Sequence, residues 1–256
     1  MVERQPKGAP GGAGGQFASS SHAEPAVDLS SKVGLDQVLE SAARLQELVP
    51  DAVLVGGSAA AYWARHRDSL DHDHVLRDLS ERFDAVLNAI EATDGWVTNR
   101  VSPGKIVLGE LGGIETGIRQ LIRSKPLEVV EVVLPSGRKL RVPTLEEILR
   151  VKAYLVVRRN RVRDYLDVAA LSDRLGTDRA AATLAKIDDY YDAGRPGTEP
   201  VSTQVARQLA DPRPADSRVV SQLKFYKSLV PRWQDWREVC AVCRSVATAM
   251  LLQGPL

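Results

Sequence analysis

From about residue 31 the chain alternates apolar and polar positions with helical spacing. Leu35, Val38, Leu39, Ala42, Leu45 and Leu48 recur at steps of three and four, which predicts a helix that Pro50 stops. The apolar run 52-AVLV-55 predicts a short strand, and Gly56-Gly57-Ser58 a turn after it. Ala59 to Arg65 then fits a helix and Leu70 to Leu76 a strand. Ser80 is the expected N-cap of a helix reaching about Thr93, with Phe83, Val86, Leu87 and Ile90 on one side. Beyond the Asp94-Gly95 turn the period changes to that of strands, at 96–101, 105–111, 114–121, 127–134 and 138–142. From Pro143 the pattern is helical again. Thr144 and Glu147 have the spacing of a capping box for a helix ending near Arg159. Further helices are expected at Arg163 to Leu175 and Asp178 to Tyr191, with two more beyond residue 200. The predicted fold class is α+β, with a mixed-sheet domain over 31–142 and a helical domain over 143–256.

Composition adds a tail and removes some function classes. Residues 1–30 are rich in Gly, Ser, Ala and Pro, a composition expected to stay disordered. The net charge of +1 excludes a molecule that is basic all over and built to wrap nucleic acid, but leaves room for a local basic patch. No apolar run approaches the roughly eighteen residues of a membrane span, and the N-terminus lacks an apolar signal core. A cytoplasmic protein with no membrane partner is expected. Cys240 and Cys243 form a lone C-x-x-C pair, which fits packing on a helix better than zinc or redox chemistry.

The stretch 53-VLVGGSAAAYWARHRDSLDHDHVL-76 carries the candidate chemistry. A Gly56-Gly57 turn brings backbone close to a ligand, and the helix after it offers unpaired N–H groups to phosphate oxygens. Ser58 would add a hydroxyl donor. On a strand, Asp71 and Asp73 point to the same side, where two carboxylates repel unless a cation lies between them. Mg²⁺, which binds through one or two carboxylates plus phosphate oxygens, is the natural guest. His72 and His74 fall on the opposite face, so the four side chains do not easily share one ion.

Strand, G-G-S, helix and S-x-D-x-D together resemble the nucleotidyltransferase superfamily that includes DNA polymerase β. The form GGSAAAYWARHRDSLDHD, with PTLEEILRVKAYLVVRRNRVRDYLDVAAL at 143–171, is similar to the AbiEii/AbiGii family of toxin nucleotidyltransferases. The resemblance covers about 35–175. It implies that Asp71 and Asp73 hold Mg²⁺ or Mn²⁺, that Gly56, Gly57 and Ser58 hold the NTP triphosphate, and that Lys152 contacts phosphate. It implies that Asp164 positions that lysine or assists proton transfer. A third metal carboxylate is expected on a neighbouring strand. Glu115 is favoured because it follows a Gly-Gly turn, with Glu128 and Glu131 as alternatives. It further implies an RNA acceptor, plausibly the 3′ end of tRNA, blocked translation in a type IV-like toxin–antitoxin system, and a cognate antitoxin. A small-molecule (antibiotic) nucleotidyltransferase and a non-catalytic nucleotide-binding module are the alternatives.

The helical half gives a separate argument. Ile148, Lys152 and Leu155 share one helical face, so the lysine needs a buried partner, a snorkelling path or an anionic ligand. Asp164 lies on the stripe of the next helix with Val168, Leu171 and Leu175 and is the first choice of partner, with Asp167 second. Arg158, Arg159, Arg161 and Arg163 suit either a solvated loop or a phosphate clamp. Trp233 and Trp236, three residues apart, are expected in the core rather than stacking on bases.

Overall fold

The computed structural model describes residues 34–123, 125–192, 197–226 and 228–253. The tail expected over 1–30 lies outside the described residues. Helix α1 (Leu35–Leu48) leads into strand β1 (Val53–Val55), helix α2 (Gly56–Ala64), strand β2 (Asp71–Leu76) and helix α3 (Phe83–Glu91). Strands β3 (Trp96–Ser102), β4 (Ile106–Leu111) and β5 (Ile114–Gln120) follow, then the hairpin β6 (Val129–Val133) and β7 (Lys139–Pro143). The helical half holds α4 (Leu145–Arg159), α5 (Val162–Leu175), α6 (Thr177–Ala185), α7 (Val201–Ala210) and α8 (Trp236–Leu252).

The main sheet has five strands in the order β1-β2-β5-β4-β3. It is mixed: β2 runs parallel to β5, and the other pairs are antiparallel. The hairpin forms a separate two-stranded sheet, with β7 lying against β1. The molecule is therefore α+β, as its periodicity predicts.

Two apolar cores position the sheet. On one face Leu76, Val107, Leu111 and Ile118 meet Leu45 of α1 and Phe83, Val86 and Ile90 of α3. The larger core crosses from the first half to the second, joining Leu39, Leu54 and Ala59 to Ile148, Leu166 and Val168. The boundary expected at 142/143 falls at the β7–α4 junction, inside this continuous packing.

Several local expectations shift. Helix α2 begins at Gly56 rather than after the turn. Helix α3 begins at Phe83 with Arg82 at its N-cap position rather than Ser80, whose backbone N–H donates to the Gln120 side chain. Thr144 does cap α4, accepting from the Glu147 N–H at 3.1 Å. The other half of the box does not form: the Glu147 side chain turns to Arg123 and Arg150. Helix α6 stops at Ala185 instead of reaching Tyr191. The chain breaks into a short 3-10 turn, and Asp188 accepts from the first turn of α7 through the Ser202 N–H.

Trp233 is buried beneath Arg232, and Trp236 packs edge-on to Tyr165. Cys240 and Cys243 are free thiols buried on α8. Burial pushes the Cys243 thiol far up, so it stays protonated. Among the described residues, no helix is long and apolar enough to cross a membrane.

Candidate functional site

Strand β2 sorts its side chains by face. His72, His74 and Leu76 are buried, while Asp71 and Asp73 turn the other way. Parallel pairing with β5 sets Asp71 opposite Glu115 and Asp73 opposite Gly117. Pairing of β5 with β4 sets Glu115 opposite Glu110. One row across the sheet thus holds Asp71, Glu115 and Glu110. Glu115, favoured from its place after Gly112-Gly113, is the acid that the register brings beside the aspartates. Glu128 instead bonds Arg150 and Tyr190, and Glu131 pairs with Lys139 on the hairpin. Glu110 was not singled out from the sequence; only strand register reveals it.

Asp73 sits in a space that two glycines leave open. A Cβ on Gly117 would meet one carboxylate oxygen at 2.4 Å, and one on Gly56 the other at 3.3 Å. Arg119, two residues along β5, reaches Asp73 at 3.5 Å. Asp71 accepts from the Ser69 hydroxyl at 3.0 Å. The Ser58 hydroxyl, expected to face a phosphate, is buried and donates to the Asp71 backbone carbonyl. It ties α2 to β2, which leaves the backbone of the turn for any phosphate.

Behind this face lies a buried ionic hub. Asp167, fully buried, accepts from Arg67 at 3.0 and 3.2 Å, lies 2.6 Å from the Lys152 ammonium, and shares a hydrogen bond of 2.8 Å with His66. Burial raises its pKa, but Arg67, Lys152 and His66 outweigh burial and hold it well below the carboxylate range. The partner of Lys152 is therefore Asp167, the second choice from the sequence, and not Asp164. The reason is helical phase: three residues turn the side chain further toward α4 and the segment before β2. Asp164 is buried with neither oxygen hydrogen-bonded, and burial raises its pKa. No local pattern marks His66 and Arg67, since the signal that does is a contact about a hundred residues away in the chain.

Of the arginines in the α4–α5 turn, Arg159 feels the charges of Asp164, Arg163, Arg119 and Asp73, so this turn borders the aspartate face. Arg161 instead leans toward Asp216 at 3.9 Å.

The opposite face of β2 is closed. His72 bonds Ser41 at 3.0 Å and Thr116 at 3.1 Å, and the His74 ring stands edge-on to it at 5.2 Å. Burial lowers His72 to about 4 and holds His74 well below the usual histidine value. Both rings are neutral near pH 7 and belong to the packing beneath the acids. Among the described residues, no group of three or more His, Cys, Asp or Glu side chains is gathered as a metal centre. What the face offers is two carboxylates on one strand, a third across the register, and two glycines that make room for the Asp73 carboxylate.

No family model matches the chain. Over 233 residues, 84% of this chain, it is 35% identical to the heme uptake protein MmpL11 of Mycobacterium tuberculosis (strain ATCC 25618 / H37Rv). Over 129 residues, 50% of this chain, it is 40% identical to the mycolic acid-containing lipids exporter MmpL11 of Mycolicibacterium smegmatis. The first match takes in 22% of the MmpL11 protein, so the chain spans about a fifth of the length of these relatives. A solved structure from H. pylori, "putative nucleotidyltransferase", aligns over 85% of this chain and 99% of its own, at 16% identity and a TM-score of 0.44. An antigenic nucleotidyltransferase-like protein from Paracoccidioides brasiliensis aligns over 73% of this chain and 96% of its own, at 16% identity and a TM-score of 0.42.

Proposed function

We propose that the aspartate face catalyses metal-assisted nucleotidyl transfer from an NTP. The observation that carries this is Asp71 and Asp73 on one face of β2, with Asp73 in the gap left by Gly56 and Gly117 at the start of α2. The donor set fits a hard divalent ion, Mg²⁺ or Mn²⁺, whose remaining positions phosphate oxygens fill. Asp71 and Asp73 would hold it, with Glu115 as the third carboxylate. When bound, the ion neutralises charge on the phosphates of the donor.

The chain's own groups do the rest. Backbone N–H groups of Gly56 and Gly57, at the start of α2, orient the triphosphate. Lys152 adds positive charge from α4. Asp164, whose pKa burial raises, is in its ionised form the stronger base for it and accepts the proton of the acceptor hydroxyl. The acceptor oxygen forms its bond to the α-phosphorus as the bond to pyrophosphate breaks. Positioning and electrostatics supply most of the acceleration.

By the sequence resemblance, the acceptor is RNA, a tRNA 3′ end, the result is a block of translation, and a cognate antitoxin is the protein partner. The test is incubation with each of four labelled NTPs, Mg²⁺ and total tRNA, resolved on a gel. Label should enter one RNA class and should vanish with Asp71→Ala. Undiminished transfer by Asp71→Ala would sink the proposal. Transfer to an aminoglycoside panel instead of RNA would redirect it to small-molecule acceptors.

The 35% identity to a segment of MmpL11 favours a second reading, a non-catalytic module of a transport system. Hemin titration followed by its visible absorbance tests the heme named for that relative. Saturable binding of hemin, with no calorimetric signal for ATP and Mg²⁺, is the outcome that would favour it.

A further inference from the structure

We infer that Arg67 is a phosphate-binding residue of the site and that Asp167 positions it; this rests on the proposed nucleotidyl transfer and adds a residue to it. A guanidinium has five N–H groups in a rigid plane. Among the described residues, Arg67 spends three of them: Nε and Nη2 on the two oxygens of Asp167, and Nη1 on the Asp68 carbonyl at 3.1 Å. One N–H remains on each terminal nitrogen. Those same two nitrogens lie against Gly57, where an added Cβ would stand 2.9 Å from Nη2 and 3.4 Å from Nη1. Glycine at 57 therefore admits the guanidinium to the turn at the start of α2, and the remaining donors are the pair best suited to a tetrahedral anion there.

Charge points the same way. Arg67 and Lys152 both pair with the carboxylate of Asp167, and His66 completes its shell as a neutral ring. Asp71 acts on Arg67 and Asp164 on Lys152 at longer range, and among the described residues neither acid is hydrogen-bonded to its cation. Ser69, whose hydroxyl lies 2.7 Å from where a Gly57 Cβ would be, links the same turn to Asp71. Arg67 thus sits between the hub and the metal-binding face.

The test uses the full chain and inorganic tripolyphosphate, titrated by calorimetry without NTP or metal. Arg67→Gln and Gly57→Ala should each weaken binding about 10- to 100-fold, and Arg67→Lys should recover part of the loss. Asp167→Asn should weaken binding. In the wild-type chain, the Arg67 Nε–H resonance should shift on titration, a readout independent of whether any variant folds. An unmoved resonance, or folded variants that bind like wild type, would overturn the inference. A labelled-NTP assay separates the two proposals. If Arg67→Gln raises KM with little change in kcat, both stand. If wild type transfers label and Arg67→Gln keeps its KM, this inference falls and the reaction stands. If wild type transfers nothing while tripolyphosphate binding depends on Arg67, the reaction falls and the anion site stands.

Discussion

At the residue scale, the buried histidines of β2 set an acid limit on the fold. An unfolded histidine titrates near 6.5, whereas His72 in the fold titrates at about 4. Between those values the unfolded chain binds the proton and the folded chain does not, so stability is complete above about pH 6.5 and falls as pH drops toward 4. The effect of His72 alone amounts to roughly 3 kcal/mol across that window. Chemical denaturation at pH 7.5, 6.0 and 5.0 should show it. His74, with both ring nitrogens unbonded, is the place to relieve it. His74→Leu should stabilise the chain by about 1 kcal/mol at pH 7 and flatten the acid loss. A steeper acid loss in that variant would contradict the account. Residue identity was only partly legible here. Alternation told that His72 and His74 oppose the aspartates, but their enclosure depends on Ser41 and Thr116, which no local pattern joins to β2.

At the element scale, α4 is held less by its cap than by the ionic cluster at its first turn. Glu147 is fully buried and lies 2.6 Å from Arg123 and 2.8 Å from Arg150. The Arg150 guanidinium stacks on Tyr190 at 4.0 Å. Removing the carboxylate leaves Arg123 without its acidic partner and Arg150 with Glu128 alone. Glu147→Ala should therefore cost roughly 3 to 5 kcal/mol, against about 1 kcal/mol for Thr144→Ala. Paired thermal melts decide this, and equal losses would refute it. The existence of α4 was readable from its period and from Thr144, because both signals are local. Its partners were not. The spacing T-x-x-E suggested that Glu147 serves the helix end, yet two arginines offer more than one backbone N–H. The same limit explains Lys152: the stripe told that it needs an acid, and only packing of α5 chose Asp167 over Asp164.

At the scale of the whole molecule, the larger core spans the two expected domains. Leu39 and Leu54 share it with Ile148, Leu166 and Leu209, and Trp63 of α2 donates to the Pro143 carbonyl at 2.9 Å. Such a core leaves neither half a complete apolar interior. Residues 34–253 should unfold in one cooperative step, and fragments 34–142 and 143–253 produced separately should each lack sharp transitions. Two resolved transitions in calorimetry would show independent halves. The α+β class and the order of elements were visible in the change of period near Asp94 and again at Pro143. The union of the halves was not, since contacts far apart in the chain leave no period behind.

One consequence of β2 reaches back to how the chain folds. Its residues alternate acid and imidazole, and the Ser58 hydroxyl grips the Asp71 carbonyl. Slide the strand by one position against β5 and both carboxylates enter the apolar layer under α1 and α3, a misalignment that desolvation penalises heavily. The residues proposed for chemistry thus also act as an alignment mark for the sheet. Replacing both aspartates with apolar residues would erase that mark, so the loss of one competent pairing, rather than of one reaction, is what such a double substitution would expose.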